Sequence, residues 1–244
     1  MPSLTCFKFR FTPSWLMLIL TILFFSLFTR LGFWQIQRAD EKKKMIVAQK
    51  TQELQKPFFW THNQKQPLQY ERIILKGTYL PQIFLLDNQH HQHQFGYNVL
   101  SPLELPDGSV LMIDRGWVPG ELSRRILPNI KTPNGLVKLQ GSVYFPSKNQ
   151  WVLGPSLEKK GNKVIILERL DTQLISQVLQ KAVSPFIIRL DKQEANGFVR
   201  EWATVSMPPQ RHLAYALQWF VMALVVLIIF VALNLKKENE ETSF

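Results

Sequence analysis

The sequence predicts a membrane α + β protein, with two transmembrane helices flanking an external domain of antiparallel, barrel- or sandwich-like β structure that carries one or two helices. Three observations predict it. The longest apolar runs lie near the two ends of the 244-residue chain. Short segments of alternating or β-branched composition fill the middle. Helix punctuation is sparse there, so strands dominate the domain.

The first span reads from Trp15 to Trp34. WLMLILTILFFSLF carries no charge up to Phe28, then Arg30 interrupts. Arg30 can snorkel and Trp34 suits an interface, so the stretch covers about 30 Å as a helix, one hydrocarbon core. A cleaved leader is the competing reading, since Lys8 and Arg10 precede the run. No small-x-small cleavage site follows, which favours a retained span. The second span, residues 212–235, is apolar and uncharged from Leu213 to Leu235 and is closed by Lys236 and Lys237.

The short flanks 1–14 and 236–244 carry Lys8, Arg10, Lys236 and Lys237, so the positive-inside rule places both termini in the cytoplasm. The middle of the chain then faces the periplasm of a bacterial inner membrane, as a multi-pass protein. No Arg- and Ser-rich presequence points to a mitochondrion.

Residues 35–56 contain good helix formers with neither Gly nor Pro, and predict a helix leaving the membrane that Pro57 ends. The external domain then occupies 57–211. Strands are expected at Tyr70–Tyr79, Ile83–Leu86, Tyr97–Leu105, Ser109–Trp117, Leu136–Phe145, Lys163–Leu167 and Phe186–Leu190. Pro102 marks the third of these as an edge or a bend, and Asp107-Gly108 signals a hairpin after it. Asp171 is positioned to cap a helix that places Leu174, Ile175, Val178 and Leu179 on one face.

Composition excludes several functions. The single cysteine, Cys6, precedes the first span, so the domain has neither a disulfide nor thiol chemistry. The net charge of +11 suits anionic lipid headgroups or a plainly solvated surface. No zinc-finger or RNA-binding motif accompanies it, and no nucleic-acid partner is expected. No nucleophile elbow, P-loop, zincin or dinucleotide motif is present, and an enzyme is not expected.

Two histidine features remain. His90, His91 and His93 crowd a polar loop with imidazoles that suit copper or zinc, without a carboxylate or thiol at ligand spacing. His212 opens the second span, with Tyr215 and Trp219 three and seven residues on along the helix. Imidazole is a common axial ligand of haem iron. Read from the residues alone, His212 is an interfacial histidine beside aromatic-belt neighbours.

Three motifs change that balance. Gly32-Phe-Trp34-Gln35-Ile-Gln-Arg38 closes the first span. Asp87-Asn88, Gly96-Tyr97, Pro102-Leu103 and Asp114-Arg115-Gly116-Trp117-Val118-Pro119 run through the domain. His212-Leu-Ala-Tyr215-Ala-Leu-Gln218-Trp219-Phe220 enters the second span. In this order they resemble the surfeit-locus (Shy-type) family of cytochrome c oxidase assembly factors over nearly the whole chain. The resemblance implies a non-enzymatic factor that binds or hands over haem a during maturation of the oxidase catalytic subunit. Its implied partners are that subunit, haem a synthase and the lipid bilayer. It implies His212 as a ligand to haem iron, with Tyr215 and Trp219 packing on the porphyrin or the oxidase. Arg211, from its position just outside, is assigned to a propionate. Gln89 stands where many relatives have Arg. Two alternatives stay open: a scaffold that holds oxidase subunits without haem, and a periplasmic copper-handling protein using the loop histidines.

Overall fold

The computed structural model describes residues 4–6, 9–147, 156–161 and 163–237. Lys8 and the acidic tail from 238 onward lie outside them. The chain divides into two compact units, one built from its two ends, up to Val47 and from Thr204, and one spanning Ala48–Ala203.

The first unit pairs two long helices. α1 runs from Trp15 to Glu53 without a break, and a second helix, α3, runs from Pro209 to Asn234. Proline at the first helical position costs α3 nothing, because that N–H has no helical partner. Both helices are long and apolar enough to cross a membrane. Only 6% and 11% of their most apolar stretches are buried, so neither is the core helix of a soluble fold.

Small residues bring the two helices together. The buried positions are Gly32 and Ala39 on α1 and His212, Ala216, Ala223 and Asn234 on α3. A Cβ at Gly32 would sit 2.7 Å from the Phe220 ring, so glycine lets that ring lie against the α1 backbone and a larger residue would push it aside. Phe33 meets Phe220 edge-on at 5.4 Å, and Phe28 meets Trp219 at 5.8 Å. At the far end Asn234 donates to the Phe230 carbonyl within its own helix. The chain ends, expected as tails, form a small sheet of β1 (Leu4–Cys6), β2 (Phe9–Phe11) and β12 (Leu235–Lys237). Its antiparallel β2–β12 ladder holds the two flanks on one side of the helix pair.

The second unit is a nine-stranded mixed sheet with one short helix. Its strands are β3 (Phe58–Phe59), β4 (Arg72–Tyr79), β5 (Ile83–His91), β6 (Gln94–Glu104), β7 (Val110–Pro119), β8 (Leu136–Tyr144), β9 (Leu157–Lys160), β10 (Val164–Leu167) and β11 (Val183–Leu190). The order is β3-β4-β8-β11-β7-β6-β5-β10-β9, and a further β4–β6 pairing joins Thr78 to Glu104 and Tyr79 to Leu103. That pairing closes β4, β8, β11, β7 and β6 into a five-stranded barrel.

The barrel is filled by inward residues at every second position, among them Ile73, Leu75, Leu103, Leu111, Ile113, Val143, Phe186 and Ile188. The intervening Met112 and Ile187 point the other way, into a second cluster under α2 (Thr172–Leu179). β7 is therefore buried on both faces, which explains its unbroken apolar run. Asp171 caps α2 as expected, accepting from the Gln173 and Leu174 amides at 3.1 Å, and Ile175 is its fully buried anchor.

The expected fold class is observed, and three details within it differ. The domain is β-rich and barrel-like, but β3–β4, β5–β10 and β7–β11 are parallel pairs within a largely antiparallel sheet. β6 is not an edge strand: its ladder to β5 ends at Leu100 and its ladder to β4 begins at Leu103, so Pro102 falls where the neighbour changes and no donor is needed. Finally, the histidine-rich stretch is not a loop. β5 continues through His91, and Gln92 and His93, both at positive φ, make a tight hairpin into β6.

Candidate functional site

The domain motif comes together at one end of β5, β6 and β7. Gln89 faces Gly96 and Gly96 faces Pro119 in register. A side chain at Gly96 would collide with the Val118 carbonyl and the Trp117 ring. The Trp117 indole donates to the Gln89 carbonyl at 3.2 Å. Because the backbone makes that contact, it is available whichever side chain occupies position 89. The buried Asp87 carboxylate is paired at 2.9 Å with Arg124, from the segment after β7.

Arg115 is the centre of this end of the domain. It is almost fully buried and donates to the carbonyls of Asn196 (2.8 Å) and Lys131 (3.1 Å) and to the Ser101 hydroxyl (3.3 Å). Its guanidinium also lies 4.9 Å from the Phe198 ring and 5.7 Å from the Tyr79 ring. Burial pulls the Arg115 pKa down and pushes the Tyr79 phenol up to about 12. Next to it Gly116 has φ +110, and a Cβ there would lie 2.5 Å from the Val199 carbonyl. These residues weld two segments, around 131 and 196–200, onto the barrel. These contacts give Arg115, Gly116 and Trp117 a structural role.

Asp114 is buried beside them, accepting from the Gly116 amide at 3.1 Å and Asn98 at 3.3 Å. Burial pushes its carboxyl up to about 6, partly offset by the charge of Arg189.

The histidines of the hairpin diverge. His90 packs against Phe95 and His91 against Trp117, because successive residues of a strand face opposite sides. Among the described residues no group of three or more His, Cys, Asp or Glu stands together to hold a metal. The copper reading thus lacks a ligand set there.

His212 is held quite differently. It lies in the first turn of α3, on the face that packs against α1, and is 9% exposed. Its Nδ1 is 2.7 Å from Oε1 of Gln35, on α1. With the amide oxygen, which only accepts, turned to the ring, the neutral Nδ1–H tautomer donates to it and keeps a lone pair at Nε2. Nε2 is buried and has no hydrogen-bond partner among the described residues. A buried polar atom left unsatisfied is costly and rare.

The other expected site residues spread around it. Trp219 is half-buried against Phe28. Tyr215 is 43% exposed, off the packed face defined by His212, Ala216 and Ala223. Arg211 is exposed and forms no ion pair among the described residues. Gln35 stood in the first motif, but its pairing with a residue 177 positions away was not foreseen. Its one signal was a polar side chain on the same stripe as Gly32 and Ala39.

Two exposed apolar helices, paired through small residues and joined by a small mixed β-barrel, define a class: a barrel protein carried on a candidate membrane hairpin, with one unsatisfied imidazole between the helices. The SURF1 family model matches residues 22–224, from within α1 to within α3, and the chain belongs to that family. Relatives described as SURF1-like proteins are similar over most of their length. That of Rickettsia felis is 24% identical, over 87% of this chain and 94% of its own. That of Rickettsia conorii is 25% identical, over 87% and 88%. That of Monosiga brevicollis, a eukaryote, is 22% identical over 92% and 88%.

Proposed function

We propose that this protein is a non-catalytic assembly factor of cytochrome c oxidase that handles haem a for the catalytic subunit, with His212 as the ligand to iron. Family membership supports the oxidase assembly role. The observation that carries the haem reading is the buried, unpartnered Nε2 of His212. Metal-ligating histidines ordinarily donate the far ring N–H to a second protein group, which fixes tautomer and ring orientation. Gln35 is that group here. The donor set would suit an iron porphyrin: His212 would hold it through Nε2, and its iron would supply a Lewis acid for a neutral imidazole.

The remaining residues serve binding. Trp219 and Phe28 form an aromatic pair two turns along the helices from the imidazole, and Tyr215, one turn on from His212, offers an exposed ring. Arg211, exposed and without an ion pair among the described residues, is available to a propionate. Haem a synthase and the oxidase catalytic subunit are the partners this role requires. The topology proposed with it puts both flanks in the cytoplasm and the barrel in the periplasm of a bacterial inner membrane. The β2–β12 pairing, which keeps the flanks together, supports an even number of crossings.

The test is the visible spectrum of the full chain co-expressed with a haem a supply, with and without His212→Ala. The expected outcome is a bound-haem spectrum that the substitution abolishes. Identical spectra from the two proteins would remove His212 as ligand. If His212→Ala still co-purified with the oxidase and the natural protein carried no haem, the scaffold reading would replace this one.

A further inference from the structure

We infer that Gln35 is a positioning residue that sets the tautomer of His212, and that its amide acts as a reversible switch between a ligating and a non-ligating imidazole. The inference rests on the reading of His212 as an iron ligand, and it concerns how that ligand is turned on and off.

The contact is between two side chains of different helices, Gln35 on α1 and His212 on α3, at 2.7 Å. In the arrangement observed, Oε1 faces the ring and Nε2 of His212 keeps its lone pair. The Gln amide is nearly symmetric in shape, with an acceptor on one side and a donor on the other. Half a turn about its last torsion puts the NH2 group where the oxygen was. The ring must then accept at Nδ1, so it gives up that proton and takes one at Nε2 by exchange with water. Its charge is unchanged, no backbone moves, and Nε2 has become an N–H that cannot donate to a metal.

The choice of residue matters. A carboxylate at position 35 accepts only, and would hold Nδ1–H permanently, as in the carboxylate–histidine pairs of resident metal sites. An apolar residue would leave the ring free. Glutamine alone offers both states in the same volume. A ligand that can be withdrawn without unfolding suits a factor that must surrender its cargo. Because the two residues belong to different helices, the state of the switch also depends on the helices staying paired.

The test uses the full chain in lipid nanodiscs in three forms: natural, Gln35→Glu and Gln35→Leu. Nitrogen NMR of histidine-labelled, haem-free protein reads the tautomer directly. Signals of His212 are picked out from the five histidines by their loss in His212→Ala. The Glu variant is expected to show Nδ1–H alone, and the Leu variant to shift towards Nε2–H. The three proteins are then loaded with iron protoporphyrin IX, and its transfer to apomyoglobin is timed. Release is expected about tenfold slower in Gln35→Glu, and retention roughly 10–100-fold weaker in Gln35→Leu, the range typical of lost ligand-orienting hydrogen bonds. Nitrogen signals identical in all three forms would overturn the switch alone. Tautomers that follow residue 35 while release ignores it, with His212→Ala binding as well as the natural chain, would overturn the switch and the ligand reading together.

Discussion

Arg115 in the barrel and His212 in the helix pair are both buried polar residues of motifs that identify the family, yet their surroundings differ in kind. Arg115 is engaged from several sides: its Nε and Nη1 donate to two carbonyls and a hydroxyl, and its plane meets two aromatic rings. His212 is satisfied on one side only, with Nε2 left bare. A motif residue whose polar groups are so engaged by the protein is part of the architecture. One that is buried with a group unmet is not accounted for by the architecture alone, and the Tyr97 hydroxyl of the barrel motif is left in the same state as His212 Nε2. Motif membership alone does not separate the two cases; hydrogen-bond accounting does.

Substitutions on both sides sharpen that contrast. The largest effect on barrel stability is expected from Gly116→Ala, because a methyl at φ +110 also overlaps the Val199 carbonyl. Strain and overlap together should cost about 3 kcal/mol or more in denaturant unfolding of the full chain. Arg115→Ala should cost a comparable or slightly smaller amount, roughly 3 kcal/mol, through several lost charge-assisted bonds at once. Little change in either midpoint would remove the architectural role assigned to this motif.

Asp114→Asn acts in the opposite direction. The folded carboxyl is pushed up to about 6, above its ordinary value near 3.8. Between those values the folded state holds a proton that the unfolded chain has released, so stability is greatest in acid and falls as pH rises through about 6. The substitution should flatten that slope and stabilise the barrel at pH 7 by about 1–2 kcal/mol, the shift being worth up to about 3 kcal/mol before the weakened Asn98 contact is counted. A slope that persists in the variant would place its origin elsewhere. The smallest effect on the barrel belongs to His212→Ala and Gln35→Leu. Each should leave barrel unfolding within about 0.5 kcal/mol of the natural chain while abolishing or weakening haem binding. A large loss of barrel stability in either variant would break the comparison.

The sequence was informative where one local rule decides the structure. Uninterrupted apolar runs gave both long helices. Alternation gave β4, β8 and β10, and the Asp171 cap gave α2. Pairing partners were hidden, because a period of two says which face a residue takes but not which strand lies beside it. Hence the parallel β7–β11 and β5–β10 pairs and the β4–β6 closure were not foreseen. The hairpin after His91 was missed because its turn uses Gln92 and His93 at positive φ instead of Asn-Gly. At the site, His212, Tyr215 and Trp219 were named from one motif, and Arg211 from its position just outside it. The divergence of Tyr215 from the packed face and the role of Gln35 needed the second helix in place. The first motif did contain Gln35, but nothing in a linear pattern says which residue an amide will meet.

The hydrogen bond between Gln35 and His212 joins residues 177 positions apart. During synthesis the whole barrel must be translated, and α3 after it, before the second partner exists. The contact is therefore one of the last that the ribosome makes possible, and a chain released before α3 carries all the barrel strands without His212. Pairing of the two helices is thus tied to the order of translation: a product truncated ahead of α3 has no partner for Gln35.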